Sequence, residues 1–550
     1  MIKKVLLVIG TVFLFGFETI EAQQNSAEAP LIDILLKLED TFNIQLSFAD
    51  KNIDGKSLIV PDFKDSKKNV ISYIENVTDL KFVAINETSY AIKTNNEALN
   101  FVALQNLQKV IITRYLTKGI KLNDDATTTI TPKYFDILPG LIEPDVLQTI
   151  QALPGITSID ERVSNLNIRG GTNDQNLILW DNIKMYQSGH FFGLISAFNP
   201  SLINTVTVSK NGSSAQFGDG VSGIIHMQTS DSISRNLNGG LGSNLIAADG
   251  FAKLPVTEKI EIQVSARRSL TDVINTPTYN QYFDRIFQDS DLTNLNDNSL
   301  IQDERFYFYD VSSKLNYQIS PKDHLTISGL KIFNSLDYKE NATSNSQLTS
   351  SNSELIQESL ALGLKYKRDW NNKFSTVFRI SMSNYELNST NNDITNSQVL
   401  KQVNDVKDNR FEFQANYQIN NNLNYLGGYQ YSEIGMSNLE DVNNPKFRRY
   451  VKDVLRSHGL YNEVSFKSNS GNTKAKIGLR ANYVEEFSEF FLEPRLTINQ
   501  NISNCFRIEL LAEIKSQTAS QIIDLQDDFL GVEKRRWILS NNDNIPILQS

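Results

Sequence analysis

The sequence predicts three successive regions: an α+β N-terminal domain, an α/β domain with many glycine turns, and a transmembrane antiparallel β-barrel. Apolar residues alternate between helical and strand spacing over residues 28–95, which is typical of a small α+β unit. Short apolar strands separated by glycine-marked turns follow over residues 160–230. From residue 232 onward, long stretches alternate apolar and polar residues with a period of two, as the strands of a membrane barrel do.

Composition excludes several classes of function. The 550 residues carry a formal net charge of -10, which argues against a nucleic-acid partner. Cys505 is the only cysteine, so neither an intramolecular disulfide nor a Cys/His zinc site is expected. The four histidines have no second ligand at metal spacing, and the glycine-rich segments lack the Lys-Ser/Thr of a phosphate loop. We therefore predict no catalytic residues, no metal and no cofactor, and a protein that is not an enzyme.

The first residues predict export from the cytoplasm. Lys3 and Lys4 precede an apolar run from Val5 to Phe17, and Ala22 is a suitable last residue before cleavage. We expect a signal peptide over residues 1–22. A membrane anchor is the alternative, although the apolar run is shorter than the ~20 residues that a spanning helix needs.

Residues 28–95 predict a small domain of two helices and three strands. One face of the first helix is apolar, at Leu31, Leu35, Leu38 and Phe42. A strand at 45–48, a helix capped by Ser66, and strands at 80–85 and 90–93 follow. This order of elements resembles the secretin and TonB short N-terminal domain. The resemblance implies a periplasmic module that contacts an anti-sigma regulator, and a spacer with no partner is the alternative.

Residues 96–131 predict a polar linker with one exception. Lys109 is followed by the β-branched run Val110, Ile111, Ile112 and Thr113. An extended segment of this kind is suited to adding a strand to the sheet of another protein. It resembles a TonB box, which implies a TonB-type energy transducer as partner. An ordinary linker strand is the alternative.

Four motifs in series identify the next region, residues 132–231. They are a short helix closed by Pro154-Gly155, then 166–170, then 177–183, then the segment 217–225 with its Phe-Gly-Asp-Gly turn. In this order they resemble the plug of TonB-dependent outer-membrane receptors, and residues 189–200 resemble receptors of the Bacteroidetes type. The fold class is therefore an α+β N-terminal domain and an α/β plug followed by a transmembrane antiparallel β-barrel.

Several plug residues are candidates for the site. Five glycines are expected to allow positive-φ turns or close backbone approach: Gly170, Gly171, Gly218, Gly220 and Gly223. Arg169 is expected to pair with carboxylates of the barrel wall, since its five donors suit breakable polar contacts. An exposed arginine at a strand end is the alternative. Tyr186 and His190 are candidates for facing a ligand, and a purely structural role is the alternative for the histidine.

Residues 232–550 predict the barrel. Short polar turns such as 320–323 and 370–373 alternate with long polar stretches at 275–303, 339–353 and 388–405, which favours a membrane barrel over a soluble β-sandwich. The resemblance implies 22 strands, whereas the roughly 320 residues present supply about 13 or 14 at ~10 residues per strand plus loops. We therefore expect a barrel truncated at the C-terminus.

The resemblance implies a function at the cell outer membrane, with the N-terminal domain in the periplasm and the long loops outside. The first hypothesis is TonB-dependent import of a scarce small-molecule ligand, such as an iron chelate, cobalamin or a glycan, through a plugged barrel in contact with outer-membrane lipid. The second is a surface-signalling receptor that reports ligand occupancy to an anti-sigma regulator. The third is a passive porin or adhesin.

Overall fold

The structure is a computed structural model and describes residues 28–53, 55–86, 88–94, 119–134, 141, 144–158, 162–287, 301–344, 347–503, 506–529 and 532–550. The chain divides into two compact units, Met1–Val110 and Ile111–Ser550. The predicted signal peptide lies outside the described residues. No helix in the described ranges has the length and apolar character needed to cross a membrane.

The first unit is a small α+β domain. Its elements in order are β1 (Glu28–Pro30), α1 (Leu31–Phe42), β2 (Gln45–Ser47), α2 (Asp50–Ile53), β3 (Ser57–Ile59), α3 (Lys67–Val77), β4 (Leu80–Ala84) and β5 (Ser89–Thr94). Strand β5 lies at the centre of a three-stranded sheet, parallel to β2 and antiparallel to β4. Strands β1 and β3 form a second, two-stranded sheet.

The predicted helix faces build the core of this unit. Leu31, Leu35 and Leu38 of α1 are fully buried and pack with Ile74 of α3. The Ser66 hydroxyl accepts a hydrogen bond from the amide of Asn69 at 3.3 Å, which caps the start of α3 as predicted. The predicted helices and strands of this domain are confirmed, and β1, β3 and α2 are additional.

The second unit begins with a mixed sheet and short elements. They are β6 (Ile120–Leu122), β7 (Thr128–Ile130), α4 (Val146–Gln151), β8 (Ile156–Thr157), β9 (Asn167–Ile168), β10 (Leu177–Trp180), β11 (Ile183–Lys184), β12 (Gly189–His190), β13 (Ile195–Ser196), β14 (Ile203–Ser209) and β15 (Ile224–Thr229). The main sheet has the strand order β11-β10-β15-β14-β7-β6. We call residues 119–231 the plug.

The plug begins earlier than the sequence suggests. Residues 120–130, expected in the linker, form the hairpin β6–β7, and β7 pairs with β14 of the main sheet. Ile120 and Ile130 are buried in the same core as Trp180 and Val206. The polar residues 123–129 that suggested a linker form the hairpin turn and most of β7, and Thr127 and Thr128 among them are buried. The predicted helix is confirmed as α4, where the Asp145 carboxylate caps the amide of Gln148 at 2.9 Å.

A large antiparallel sheet follows the plug. Its strands are β16 (Asn238–Ser243), β17 (Ala247–Thr257), β18 (Ile260–Ser269), β19 (Ile301–Ser320), β20 (Asp323–Ser344), β21 (Gln347–Asn371), β22 (Phe374–Asp393), β23 (Gln398–Gln418), β24 (Leu423–Asn443), β25 (Lys446–Lys467), β26 (Thr473–Val484), β27 (Glu489–Ser503) and β28 (Phe506–Glu513). Within the described residues these 13 strands pair in sequence order. Helix α5 (Pro277–Phe287) lies in the connection between β18 and β19.

The side chains on the two faces of this sheet are distributed in the reverse of the way seen in a water-soluble protein: polar side chains are buried and apolar side chains are exposed. Gln263 and Asn316 are fully buried on the face that covers the plug. On the other face, Leu460 is 56% and Ile477 63% exposed. Apolar side chains directed away from the protein suit contact with lipid, and polar side chains directed inward suit a plugged interior. The predicted barrel-type fold is confirmed, and we call its inner face the wall.

Two of the three predicted long loops are wrong. Residues 339–353 and 388–405 are mostly strand, because β20 and β21 run on to Ser344 and Gln347, and β22 and β23 run on to Asp393 and Gln398. Cross-strand hydrogen bonding continues beyond the apolar band, so polar residues there extend the hairpins. The third stretch, 275–303, contains α5.

The last residues fold against the plug. Strands β29 (Ser516–Gln517) and β32 (Leu548–Gln549) pair with each other, and β30 (Ala519–Phe529) pairs with β31 (Val532–Leu539). The Trp537 amide donates to Asn404 Oδ1 of the wall at 2.9 Å, and its indole nitrogen donates to the Tyr186 carbonyl oxygen at 3.2 Å. We call residues 519–539 the inserted hairpin, because it lies between wall and plug.

Candidate functional site

The plug is held to one side of the wall through its own backbone. The Arg495 guanidinium donates to the carbonyl oxygens of Ser214 and Phe217, the latter at 2.5 Å. The Glu463 carboxylate accepts the Ala215 amide at 2.8 Å, and Glu513 accepts the Ser213 amide at 2.8 Å. Further contacts join the Arg480 guanidinium to the Gln216 carbonyl oxygen, the Thr497 hydroxyl to the Gly212 carbonyl oxygen, and the Gln517 side chain to the Val221 amide. We call this surface, plug residues 212–217 and 221–222 with strands β25–β29, the locked side.

Two glycines of the last plug motif are required by close packing. A Cβ on Gly223 would overlap the Ile168 side chain, which lies in the plug core. A Cβ on Gly218 would come within 2.6 Å of the Arg480 guanidinium. Side chains at these positions are excluded by a core residue in the first case and by a wall residue in the second.

Asp219 joins three parts of the unit. Its Oδ2 lies 2.5 Å from the Lys184 ammonium of the plug and 3.3 Å from the Arg410 guanidinium of β23. Its Oδ1 accepts the Thr518 amide at 2.9 Å, at the base of the inserted hairpin. Burial acts to raise the pKa of Asp219, but the nearby Lys184 and Arg410 charges outweigh it and hold that pKa well below its usual range. The aspartate is therefore a buried anion in the folded protein.

A second region is a cavity of about 130 Å³ between the plug, the wall and the inserted hairpin. The described lining residues contain no carboxylate. The plug contributes Arg162, Ser164, Asn165, Asn173, Tyr186, Gln187, Ser188, Gly189, Phe192 and Gly193, and the wall and hairpin contribute Leu355, Gln357, Tyr385, Leu387, Gln521 and Arg535. Aromatic rings and side-chain amides around one concave space are typical of a small-molecule site. We call it the upper cavity.

Tyr186 lines the upper cavity with part of its surface. Its hydroxyl donates to Asp408 Oδ2 at 2.7 Å, and its ring packs edge-on against Trp537 with centroids 4.9 Å apart. Burial and the Asp408 charge raise the pKa of Tyr186 well above its usual value. The phenol is therefore a neutral donor that connects the cavity to the ion pair between Asp408 and Arg410.

His190 lies next to this region and is fully buried. Its Nδ1 is 2.7 Å from the Asn334 amide oxygen, its Nε2 is 3.2 Å from Asp310 Oδ2, and its ring stacks on Phe308 with centroids 4.3 Å apart. Burial lowers the pKa of His190 despite these two partners. The structure thus places the ring in contact with the wall, and ligand contact by this residue stays a prediction.

Arg169 has a different position from the one expected. Its side chain is exposed, and no described carboxylate lies within ion-pair distance of it. Its backbone has a φ of 50°, next to Gly170 with a φ of 84°. The ion pair between plug and wall is made by Asp219 with Arg410 instead. The proposed TonB box, Val110 to Thr113, lies outside the described residues.

Gly171 and Gly220 of the plug motifs allow neighbouring plug residues to approach the backbone closely. A Cβ on Gly171 would overlap Ser222, and one on Gly220 would lie 2.9 Å from Leu177 Cβ. Sequence reasoning missed the wall side of the site, namely Arg410, Glu463, Arg480, Arg495 and Glu513. The available signal was a charged residue at inward positions of predicted strands. Within the described residues, no group of three or more His, Cys, Asp or Glu side chains is arranged to hold a metal ion.

Comparison with known proteins agrees with this architecture. Residues 139–224 match the family model described as TonB-dependent Receptor Plug Domain. A comparison with curated protein sequences gives no match.

Solved structures match in fold. A mutant of the ferric enterobactin receptor from Pseudomonas aeruginosa superposes with a TM-score of 0.51 at 15% identity, over 71% of this chain and 61% of that chain. The outer membrane transporter YddB from Escherichia coli has a TM-score of 0.51 at 11% identity, over 74% of this chain and 62% of that chain. The siderophore receptor PirA from Acinetobacter baumannii has a TM-score of 0.50 at 13% identity, over 77% and 66%. The chain therefore spans less than two thirds of the length of each of these proteins.

The plug, the polar wall around it and these matches define the class. The chain carries the plug domain of a TonB-dependent receptor and has the fold of the TonB-dependent outer-membrane receptors. The solved structures with this fold include receptors and a transporter.

Proposed function

We propose that the protein imports a scarce solute across the outer membrane, with energy supplied by a TonB-type transducer. The observation that carries this proposal is the way in which a separate plug fills the polar interior of the sheet. The plug is held there by hydrogen bonds and ion pairs, such as Asp219 with Arg410, which can break and re-form. A plug held in this manner blocks diffusion at rest and can be remodelled by force.

The upper cavity is the proposed ligand site. Tyr186 and Gln187 from the plug, Tyr385 from the wall and Gln521 from the inserted hairpin converge there. A ligand in this cavity touches all three parts that must move relative to one another. His190 hydrogen-bonds to Asn334. Asn334 in turn donates to Gln357, which lines the cavity, at 3.0 Å.

The proposed orientation follows from the plug. The segment Val110 to Thr113 precedes the plug, so it and residues 28–94 are placed in the periplasm, where a transducer reaches them. We assign the upper cavity to the side of the protein that faces the cell exterior. In this arrangement the transducer adds its strand to residues 110–113 and pulls on the N-terminal end of the plug.

Uptake in a deletion strain tests the proposal. The strain is complemented with the wild-type gene or with a variant in which Val110–Thr113 is replaced by a Pro-Gly stretch. Uptake of labelled ferric chelates, cobalamin and oligosaccharides is measured with and without a protonophore. The same replacement at residues 102–105 is the matched control, since it lies in the same linker.

Import predicts that one of these solutes enters only with the wild-type and control genes, and only without protonophore. Equal uptake with the Val110–Thr113 replacement would favour a passive porin. Uptake that does not depend on the gene for any of the solutes would contradict import of these classes.

A signalling role is the second candidate, and the first unit favours it. Residues 28–94 form a separate domain with its own core, which a simple tether would not need. We propose that this domain contacts an anti-sigma regulator. Deletion of residues 30–94 should abolish ligand-dependent induction of the target genes and leave uptake intact, and loss of both would contradict a separate signalling role.

A further inference from the structure

Two small polar cavities lie between the plug and wall strands β19–β24. These strands precede β25–β29 of the locked side in the sequence. One is about 40 Å³ and the other about 30 Å³. Both are lined by Asn182 of the plug and by Arg410, Glu412 and Gln430 of the wall, and the smaller cavity also borders plug residues 216–218. We call the surface between plug strands β10, β11 and β15 and wall strands β19–β24 the seam.

The seam is polar and has room for water. Its wall side carries charges of both signs, including Lys314, Lys365, Arg379 and Glu412. Each cavity exceeds the ~10–15 Å³ that one water molecule needs, and polar walls provide hydrogen-bond partners for it. The surfaces of the seam are therefore suited to hydration when they separate.

The plug is fixed at the seam mainly by side chains, although the carbonyl oxygens of Thr229 and Ser230 also accept hydrogen bonds from Lys314 at 3.4 Å and Asn316 at 3.0 Å. Asp181 Oδ2 accepts the Ser328 hydroxyl at 3.1 Å and lies 3.2 Å from the Lys314 ammonium. Asp219 pairs with Arg410, as described above. Between these two aspartates, Asn182 faces Glu412 and Gln430 across the cavities. When an aspartate side chain rotates away, water can replace it at the cation.

The locked side is built differently. There the wall contacts reach the plug main chain, at the carbonyl oxygens of Ser214 and Phe217 and the amides of Ser213 and Ala215. A side-chain rotation in the plug cannot release these bonds. Separation would deprive the buried Glu463 of the Ala215 amide, and Arg480 and Arg495 of the plug carbonyl oxygens that they bind, which is costly for charged groups.

We propose that the solute passes along the seam, while the locked side stays in contact with the plug. The inference rests on the proposed import function and adds which side of the plug opens. The mixture of amides and charges of both signs along the seam suits a hydrophilic solute that carries its own hydrogen-bonding groups.

Thiol accessibility in living cells tests the route. Cys505 is first replaced by serine, because it is the only cysteine. Ile183→Cys reports on the seam and Ala215→Cys on the locked side. These plug residues are matched, since each is fully or almost fully buried and each faces a wall glycine, Gly363 and Gly478 respectively. The probe is a membrane-impermeant methanethiosulfonate bearing a sulfonate, applied to cells respiring in complete medium, with and without protonophore.

A second pair of reporter cysteines lies on the wall. These two variants test the route even if the plug variants misfold. Ser381→Cys lines the seam, and Thr497→Cys lies on the locked side. Heat-modifiable migration in gels confirms that each barrel has formed. Uptake of the solute panel is measured in the same cells, so that failure of import is recognised independently.

The route predicts that respiration raises the labelling rate at Ile183→Cys and Ser381→Cys on the order of tenfold, because labelling follows the open population. Labelling at Ala215→Cys and Thr497→Cys should not change. Faster labelling on the locked side, on both sides or on neither would overturn the route. If energised uptake persists in those cells, only the route fails, and if it is absent, the import function fails as well.

Discussion

Asp219 Oδ2 of the plug lies 3.3 Å from the Arg410 Nη2 of strand β23, and this ion pair ties the glycine turn of the plug to the wall. Arg410 also holds Asp408 at 2.8 Å, which in turn accepts the Tyr186 hydroxyl. A chain of charge-assisted contacts thus connects the upper cavity to the plug turn. Displacement of Tyr186 by a ligand would change the partners of Asp408 first and of Arg410 next.

The Asp219→Asn variant should loosen the plug. Loss of the carboxylate charge leaves Lys184 and Arg410 without their shared anion, and breaking a buried pair in this way costs about 3 kcal/mol. Hydrogen exchange of plug amides in the detergent-solubilised protein should become faster, with β16–β28 unchanged. Asp369→Asn is the control, since its ion pair with Lys367 is half exposed and should contribute under about 1 kcal/mol. Equal effects of the two variants would contradict the importance of Asp219.

The Gly223→Ala variant should destabilise the plug core. The added Cβ overlaps Ile168, and overpacking of a core costs roughly 1–3 kcal/mol. Urea unfolding followed by the intrinsic fluorescence of the chain, with all three tryptophans retained, measures this. Gly435→Ala is the control, because its Cβ would meet only the Val454 side chain at 3.8 Å and the Asp453 carbonyl oxygen at 4.0 Å. A midpoint unchanged in Gly223→Ala would show that the core can yield at this position.

The Trp537→Ala variant should detach the inserted hairpin. The indole is 5% exposed, packs on Tyr186 and donates to the carbonyl oxygen of that residue. Removing a buried tryptophan costs about 3–5 kcal/mol. Limited proteolysis should then cut residues 519–539 much faster than in the wild type. Trp370→Ala, where the ring is 47% exposed, should leave the cleavage rate unchanged.

Stability should fall between pH 6.5 and 4 in a way that depends on His226. Burial lowers its pKa to about 4, with Asp181 and Glu412 opposing this and Arg379 and Lys365 adding to it. The unfolded chain titrates near pH 6.5, so below that pH it binds a proton that the folded chain does not, and acid favours unfolding. The slope for one proton is at most about 1.4 kcal/mol per pH unit.

Comparison of the wild type with His226→Asn isolates this contribution. The melting temperature in detergent should fall less steeply with acid in the variant. His190, whose pKa burial also lowers, should leave part of the dependence in place. Parallel curves for the two proteins would contradict a neutral, buried His226.

The sequence indicates the elements well and their contacts poorly. Helix faces such as Leu31 with Leu35, the Ser66 cap and the strand alternation at Ile260 are local, and the structure confirms them. Arg169 and Asp219 show what local sequence cannot predict. Each is a single charged residue next to glycine, so the sequence does not tell which of them contacts the wall. Only the folded chain brings Lys184 and Arg410 to Asp219 and leaves Arg169 exposed, because Arg410 lies 191 residues away.

Local sequence patterns also fail to predict the length of the hairpins. Polar residues at 339–353 and 388–405 have the composition of loops, yet cross-strand pairing keeps most of them extended. The same applies to residues 120–130, which become strands only because β14 offers an edge to β7. Pairing with a partner strand decides these segments, and the partner is distant in the sequence.

Binding of the transducer tests the central claim most directly. The purified full chain in detergent is passed over the immobilised periplasmic domain of the TonB-type protein of the same cell, and the variant with Ile111 and Ile112 both changed to proline is passed in parallel. The proposed function predicts that the wild-type chain binds and that the proline variant does not, because proline removes the backbone donors for strand pairing. Equal binding of both, or binding of neither, would contradict the account.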